Sequence, residues 1–174
     1  MNPRNFAILL LSLLLNPCLT CALPADRQQP VEIEADRMTL DEPTNTSTYT
    51  GNVKLIQGSI QIDAQSLTVI TENGRVRLMR ITGTTAQPAH FRQQTKTGEL
   101  VEGTAEHIEY NANEAQLVLL GNAELKQGGN HVRSQRIEYN TETNSLNAGT
   151  RTNGENTPGE RVKMIIKPQN NQNP

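Results

Sequence analysis

The chain has 174 residues, a formal net charge of −2 and 20% charged residues. Because it has no run of lysines or arginines, this balance argues against a surface that binds the phosphate backbone of nucleic acid. Only 34% of the residues are hydrophobic and 3% are aromatic, which is lean for a closed globular core. Any fold must therefore depend on the regular spacing of these apolar residues along the chain.

Residues 1–22 have the features of a secretory signal peptide. Arg4 precedes an apolar run at 6–15, and small residues in the Thr-Cys-Ala segment at 20–22 are typical of a cleavage site. The run is too short to span a bilayer as a permanent helix. Its removal would leave 23–174, which is 174 − 22 = 152 residues and the size of one domain.

Both cysteines, Cys18 and Cys21, lie in this segment. The remaining chain would therefore have no thiol, no disulfide and no cysteine-based metal site. Lipidation of Cys21 is the alternative, and it would anchor the protein to a membrane. Thr20 is bulkier than the small residue expected before a lipidated cysteine, so cleavage after Ala22, without lipidation, is favoured.

An internal repeat organises the rest of the chain. Residues 51–74 and 121–144 align without a gap at an offset of 70 and are identical at 8 of 24 positions. A shorter unit, with a small residue followed by apolar residues three and five positions later, occurs four times. Its copies start at Ala35, Ala64, Ala105 and Ser134. Such repetition predicts a stack of similar layers.

Inside each layer, apolar and polar residues alternate, which predicts β-strands with one buried face. The clearest stretches are 31–34, 53–57, 60–63, 117–120 and 162–167. Glycine-containing turn sequences, with Asn52 and Asn122 read as turn residues, recur about every nine residues and predict about sixteen short strands. The polar segments 147–161 and 168–174 are predicted to be unstructured, the second as a disordered tail.

Several segments in a specific order resemble the LptA family of periplasmic lipopolysaccharide-transport proteins. They are Q-P-V-E-I-E-A-D (29–36), Y-T-G-N-V-x-x-x-Q-G (49–58), Q-P-A-H-F (87–91), V-E-G-T-A (101–105) and L-x-G-N-A-x-L-x-Q (119–127). The resemblance implies an all-β domain over residues 23–167. Its fold would be a twisted, open, OstA-like β-jelly roll of two stacked antiparallel sheets.

The resemblance also implies a non-enzymatic function without cofactor, metal or catalytic residues. Family members bind the lipid A acyl chains of lipopolysaccharide in an apolar trough. They stack head to tail with one another and with similar domains of LptC at the inner membrane and LptD at the outer membrane. The resulting bridge carries lipopolysaccharide across the periplasm.

The alternation and the resemblance together predict the lipid-binding residues. These are Val31, Ile33, Leu40, Leu55, Ile62, Leu67, Val69, Phe91, Ile108, Tyr110, Ala112, Leu117 and Leu119. Further predicted lining residues are Met38, Tyr49, Val53, Ile60, Leu125, Val132, Ile137 and Tyr139. An inward apolar residue on a strand is ordinarily part of a core, and in this fold the core and the trough would coincide.

The first strand, at about 29–35, and the last, at about 161–167, are predicted to be free edges. A free edge presents unpaired N–H and C=O groups to which another strand can add. The alternative is that solvent alone covers both edges.

Two other classes of function stay open. A carbohydrate-acting enzyme on a β-solenoid needs clustered acidic or basic residues on one sheet face, and the sequence shows no such cluster. A structural scaffold for outer-membrane assembly would pair strands without binding lipid. His90, His107 and His131 are isolated from other ligands at metal-binding spacing, so no metal site is predicted.

Overall fold

The computed structural model describes residues 26–95, 97–149 and 161–167. The predicted signal peptide and the predicted tail from residue 168 lie outside these ranges. A one-turn 3₁₀ helix, Asp26–Gln28, precedes twelve β-strands. The strands are β1 (Glu32–Glu34), β2 (Arg37–Asp41), β3 (Thr46–Gln57), β4 (Ile60–Glu72), β5 (Arg75–Thr82), β6 (Ala89–Gln94), β7 (Leu100–Ala105), β8 (His107–Asn111), β9 (Gln116–Gln127), β10 (Asn130–Asn140), β11 (Ser145–Ala148) and β12 (Lys163–Ile165). In the described part of the chain, no helix is long and apolar enough to cross a membrane.

Four long strands, β3, β4, β9 and β10, pass through both layers of the fold. Each exchanges partners along its length: the first part of β3 pairs with β2, and its last part pairs with β1. The same exchange occurs between β5 and β6 along β4, between β8 and β7 along β9, and between β11 and β12 along β10. The long strands therefore join two stacked antiparallel layers.

Layer 1 contains, in order, β1, the last part of β3, the first part of β4, β6, β7, the last part of β9, the first part of β10, and β12. Layer 2 contains β2, the first part of β3, the last part of β4, β5, β8, the first part of β9, the last part of β10, and β11. Each layer thus has eight segments. The all-β, jelly-roll-like fold is confirmed.

The exchange between layers takes place at β-bulges that the sequence analysis read as turns. Gly51 and Asn52 have φ values of 82° and 46° and lie opposite the single residue Gln65. Gly121 and Asn122, with φ values of 77° and 47°, lie opposite Gln135. Two residues facing one on the partner strand form a bulge, which bends and twists the strand. The interpretation of these glycine–asparagine pairs as turns was wrong.

The predicted sixteen or so short strands appear as strand segments, which the bulges join into twelve strands in the described residues. Counting each long strand once per layer gives 12 + 4 = 16 segments. Residues 147 and 148, predicted to be unstructured, lie in β11, where Asn147 is opposite Glu138. The part of that predicted segment at 150–160 lies outside the described residues.

Two six-strand units correspond to the sequence repeat. In the first, β3 pairs with β1, β2 and β4, and β4 pairs with β5 and β6. In the second, β9 pairs with β7, β8 and β10, and β10 pairs with β11 and β12. The units join through β5 with β8 in layer 2 and through β6 with β7 in layer 1.

Candidate functional site

Many of the side chains that point between the layers lie in three mainly apolar rows, called here the inner rows. Directly paired residues of antiparallel strands project from the same face, so strand register defines each row. In layer 1 the first row is Ile33, Leu55, Ile62, Phe91, Gly103, Leu125, Val132 and Met164. In layer 2 the second row is Met38, Tyr49, Leu67, Ile81, Ile108, Leu119, Ile137 and Ala148. The third row is Leu40, Ser47, Val69, Met79, Tyr110, Leu117, Tyr139 and Leu146.

The middle of each inner row is closely packed against the opposite layer. The rings of Phe91 in layer 1 and Tyr110 in layer 2 have centroids 6.4 Å apart. Gly103 leaves a notch in layer 1 that Leu119 of layer 2 fills, because a Cβ added to Gly103 would lie 2.8 Å from Leu119 Cδ2. Side chains therefore fill the space between the layers here, where the sequence predicted an open trough.

The predicted lipid-binding residues divide into a buried group and an exposed group. Those buried between the layers are Leu55, Ile62, Leu67, Val69, Phe91, Ile108, Tyr110, Ala112, Leu117 and Leu119. Ile33 is half-buried and packs against this cluster, whereas Val31 and Leu40 are exposed. All three lie at the N-terminal end of the stack, in or beside β1 and β2.

The inner rows end in exposed apolar side chains at both ends of the stack. Leu40 and Leu146 terminate the third row and are 53% and 40% exposed. Met38 and Met164, which end the second and first rows at opposite ends, are also exposed. Exposed apolar surface that continues a core is typical of a site where another molecule binds.

Sequence reasoning missed several inner-row members. Met79 and Ile81 on β5 are buried, yet the alternation in R-V-R-L-M-R-I-T changes phase between Val76 and Met79. Arg77 is an extra residue there, since Ile70 pairs with Leu78 and Thr71 pairs with Val76. The adjacent apolar residues Leu78 and Met79 were the feature of the sequence that could have revealed this change of phase. Leu146 and Ala148 at the C-terminal end were missed because they lie beside or in the predicted unstructured segment. Met164 was placed on the apolar face of the predicted last strand but not among the lining residues.

The outer face of layer 1 carries a row of paired residues with opposite charges at its two ends. In order this row is Glu34, Lys54, Asp63, His90, Thr104, Glu124, Arg133 and Lys163. Arg133 Nε lies 2.7 Å from Glu124 Oε1, and His131 Nε2 lies 3.1 Å from Glu124 Oε2. The row therefore begins with an exposed carboxylate on β1 and ends with an exposed ammonium on β12.

Two surface clefts of about 400 and 430 Å³ are lined mainly by polar residues. Among the residues that the structure describes, no three histidine, cysteine, aspartate or glutamate side chains are grouped so that they could hold a metal ion. The features that distinguish the molecule are the inner rows and the edge strands.

Comparison with known proteins agrees with this architecture. A family model described as LptA/(LptD N-terminal domain) LPS transport protein matches residues 32–145. The chain belongs to this family. It is 32% identical to the lipopolysaccharide export system protein LptA of Escherichia coli strain K12 over 147 residues, covering 84% of this chain and 76% of that protein.

A second relative has a solved structure. The lipopolysaccharide export system protein LptH of Pseudomonas aeruginosa is 29% identical over 158 residues, covering 89% of each chain. The crystal structure of LptH, described as the LptA-homologous periplasmic component of a lipopolysaccharide transport device, superimposes with a TM-score of 0.73 at 28% identity. It covers 83% of this chain and 100% of the LptH chain. The recognised LptA resemblance is confirmed.

Proposed function

We propose that this chain is a periplasmic lipopolysaccharide-binding protein that forms a head-to-tail bridge between the inner and outer membranes and catalyses no reaction. The inner rows carry this proposal, because they run through all eight segments of each layer and reach both ends of the stack. Joined subunits would present one continuous apolar surface. The names of the E. coli and P. aeruginosa relatives support lipopolysaccharide as the cargo.

A conduit of this kind avoids the free-energy cost of exposing acyl chains to water. Burial of one CH₂ group is worth about 0.8 kcal/mol, so an acyl chain of about a dozen carbons would lose roughly 10 kcal/mol on exposure to water. Apolar side chains shield it without directional bonds, which permits sliding. Because the interior is filled, acyl chains would enter by parting the layers at the edge opposite the bulges, called here the mouth.

The internal repeat supports head-to-tail joining. Within the chain, β5 joins β8 and β6 joins β7 where the two units meet. The corresponding strands at the chain's ends are β11 with β2 and β12 with β1. Each layer has eight antiparallel segments, so its first and last strands run in opposite directions. A second copy placed by translation along the stack would therefore bring its first strand antiparallel to the last strand of the first copy. A subunit junction would then repeat the geometry of the unit junction.

This correspondence specifies the register of the junction. Met79 lies opposite Tyr110 across the unit junction, and the equivalent residues across a subunit junction are Leu146 and Leu40. By the same rule, Ala148 faces Met38 and Met164 faces Ile33, so all three inner rows continue into the next copy. The free ends of a bridge would meet the similar domains of LptC and LptD.

Site-specific photo-crosslinking in cells tests cargo binding. A photo-reactive residue at Leu40, at the exposed end of the third inner row, should label lipopolysaccharide. The same residue at Thr39, the adjacent position whose side chain projects from the opposite face, should not. If Leu40 labelled only protein, a structural scaffold that pairs strands without lipid would be the better explanation.

A further inference from the structure

The segment Asp26–Gln29, called here the strap, runs along the edge of layer 1 that borders the mouth. Gln57 of β3 donates from Nε2 to the carbonyl oxygen of Gln29 at 3.2 Å, and Gln93 of β6 donates from Nε2 to Asp26 Oδ2 at 2.9 Å. Since β4 lies between β3 and β6 in layer 1, the strap spans three neighbouring strands.

The strap lies on the inner side of the layer. Gln57 follows the inward residues Val53 and Leu55 at the two-residue period, and Gln93 follows Phe91 in the same way. Gln57 is 7% exposed, which is unusual for a glutamine at the tip of a hairpin. The strap therefore occupies the side of the mouth through which an acyl chain would reach the inner rows.

One carboxylate accepts most of the hydrogen bonds that hold the strap in place. Asp26 Oδ1 accepts from the Ser59 backbone N–H at 2.7 Å, and Asp26 Oδ2 accepts from Ser59 Oγ at 2.8 Å. With Gln93, three donors converge on Asp26, and hydrogen bonds to an ionised acceptor are stronger than neutral ones. The strap also fits tightly, because a Cβ added to Gly58 would collide with Asp26 Oδ1.

The second unit has a related but different arrangement. Its hairpin tip is covered by Glu99, whose Oε2 accepts from Gln127 Nε2 at 3.3 Å. Glu99 lies in the loop between β6 and β7, so strands of layer 1 hold this cover on both sides. On its C-terminal side the strap continues into β1. The first unit thus has a cover held by four hydrogen bonds, three of which are accepted by the single carboxylate of Asp26.

We propose that Asp26 is a positioning residue whose carboxylate latches the strap along the layer 1 side of the mouth, and that the strap must swing away before an acyl chain enters between the layers. This inference rests on the proposed function for its cargo. The latch itself consists only of contacts within this chain, and it predicts how readily any apolar molecule reaches the inner rows.

Asp26→Ala tests the latch. We expect amide hydrogen exchange at Ser59 and Gln29 to accelerate at least 10-fold, while exchange in β9 stays unchanged, because opening would be local. The fluorescent apolar probe N-phenyl-1-naphthylamine should bind at least 3-fold more tightly. Asp41→Ala is the matched control, since among the described residues Asp41, at the end of β2, accepts a single long bond, from Thr44 N–H at 3.4 Å.

Two outcomes would overturn the proposal: unchanged exchange at Ser59, or faster exchange with unchanged probe binding. If Asp26→Ala fails to fold, Gln93→Ala removes one donor alone and should give a smaller change in the same two measurements. Lipopolysaccharide crosslinking from Leu40 tests the proposed function separately, so failure of the latch can be distinguished from failure of the proposed function.

Discussion

The Tyr139 hydroxyl is a polar group inside the apolar third row, and it donates to Asn144 Oδ1 at 2.8 Å. Burial, and secondarily the charge of Glu99, raise the pKa of Tyr139 above its usual value. The folded state thus holds the phenol proton more tightly than the unfolded state. The resulting stability is fully present below the unfolded pKa of about 10 and is lost as the pH rises through the higher folded pKa.

Tyr139→Phe should therefore affect stability differently at two pH values. At pH 7 the loss of the hydrogen bond should lower the free energy of unfolding by roughly 0.5–1.5 kcal/mol. Above about pH 10, deprotonation of Tyr139 lowers the free energy of unfolding of the unaltered protein, whereas the Tyr139→Phe variant has no phenol to deprotonate at this position. Urea unfolding at both pH values should show the difference shrinking, and a constant difference would contradict this account.

At the level of elements, the two bulges are predicted to differ in their tolerance of a side chain. A Cβ at Gly51 would collide with Asp36 Oδ2, which accepts from Asn52 Nδ2 at 2.9 Å. A Cβ at Gly121 would lie 3.0 Å from Glu106 Oε2, which belongs to a longer and more adaptable side chain. Gly51→Ala should therefore be more destabilising than Gly121→Ala.

Gly74 provides the control for these two variants. Its φ of 72° is similar, but nothing lies within 4 Å of an added Cβ. Gly74→Ala should cost only the left-handed conformation, about 1 kcal/mol. Thermal or urea unfolding should rank Gly74→Ala as mildest and Gly51→Ala as most severe, at roughly 2–3 kcal/mol. Equal losses at Gly51 and Gly74 would show that the Asp36 contact does not matter.

The same bulges mark where sequence reasoning could and could not predict the structure. Strict alternation placed Leu55, Ile62 and Leu67 correctly in the core, since a buried strand face imposes a period of two. Glycine followed by asparagine adopts positive φ values in a turn and in a bulge alike. Only pairing with Gln65, a residue distant in sequence, distinguishes them. The strap was not predicted either, because its donors converge from β3, β6 and the turn between β3 and β4.

At the scale of the whole molecule, the chain has two ends of different charge. Glu34 on β1 and Lys163 on β12 are both exposed and terminate the same outer row. Across the unit junction, the equivalent positions are Thr104 and His90, which are directly paired. The proposed subunit junction would thus place Glu34 opposite Lys163. A head-to-head arrangement would bring like charges together, so this pair favours a single direction of growth.

Charge reversal tests that direction and register. Glu34→Lys or Lys163→Glu alone should weaken self-association roughly 3- to 10-fold at low salt, because an attractive cross-strand pair worth up to about 1 kcal/mol becomes repulsive. Mixing the two variants should restore association, since each junction then again joins opposite charges. Sedimentation velocity at low and high salt measures this, with Glu102→Lys on the same outer face as the control. If the mixture associates no better than either variant alone, Glu34 and Lys163 do not meet, and the register derived from the internal repeat is wrong even if the subunits still stack.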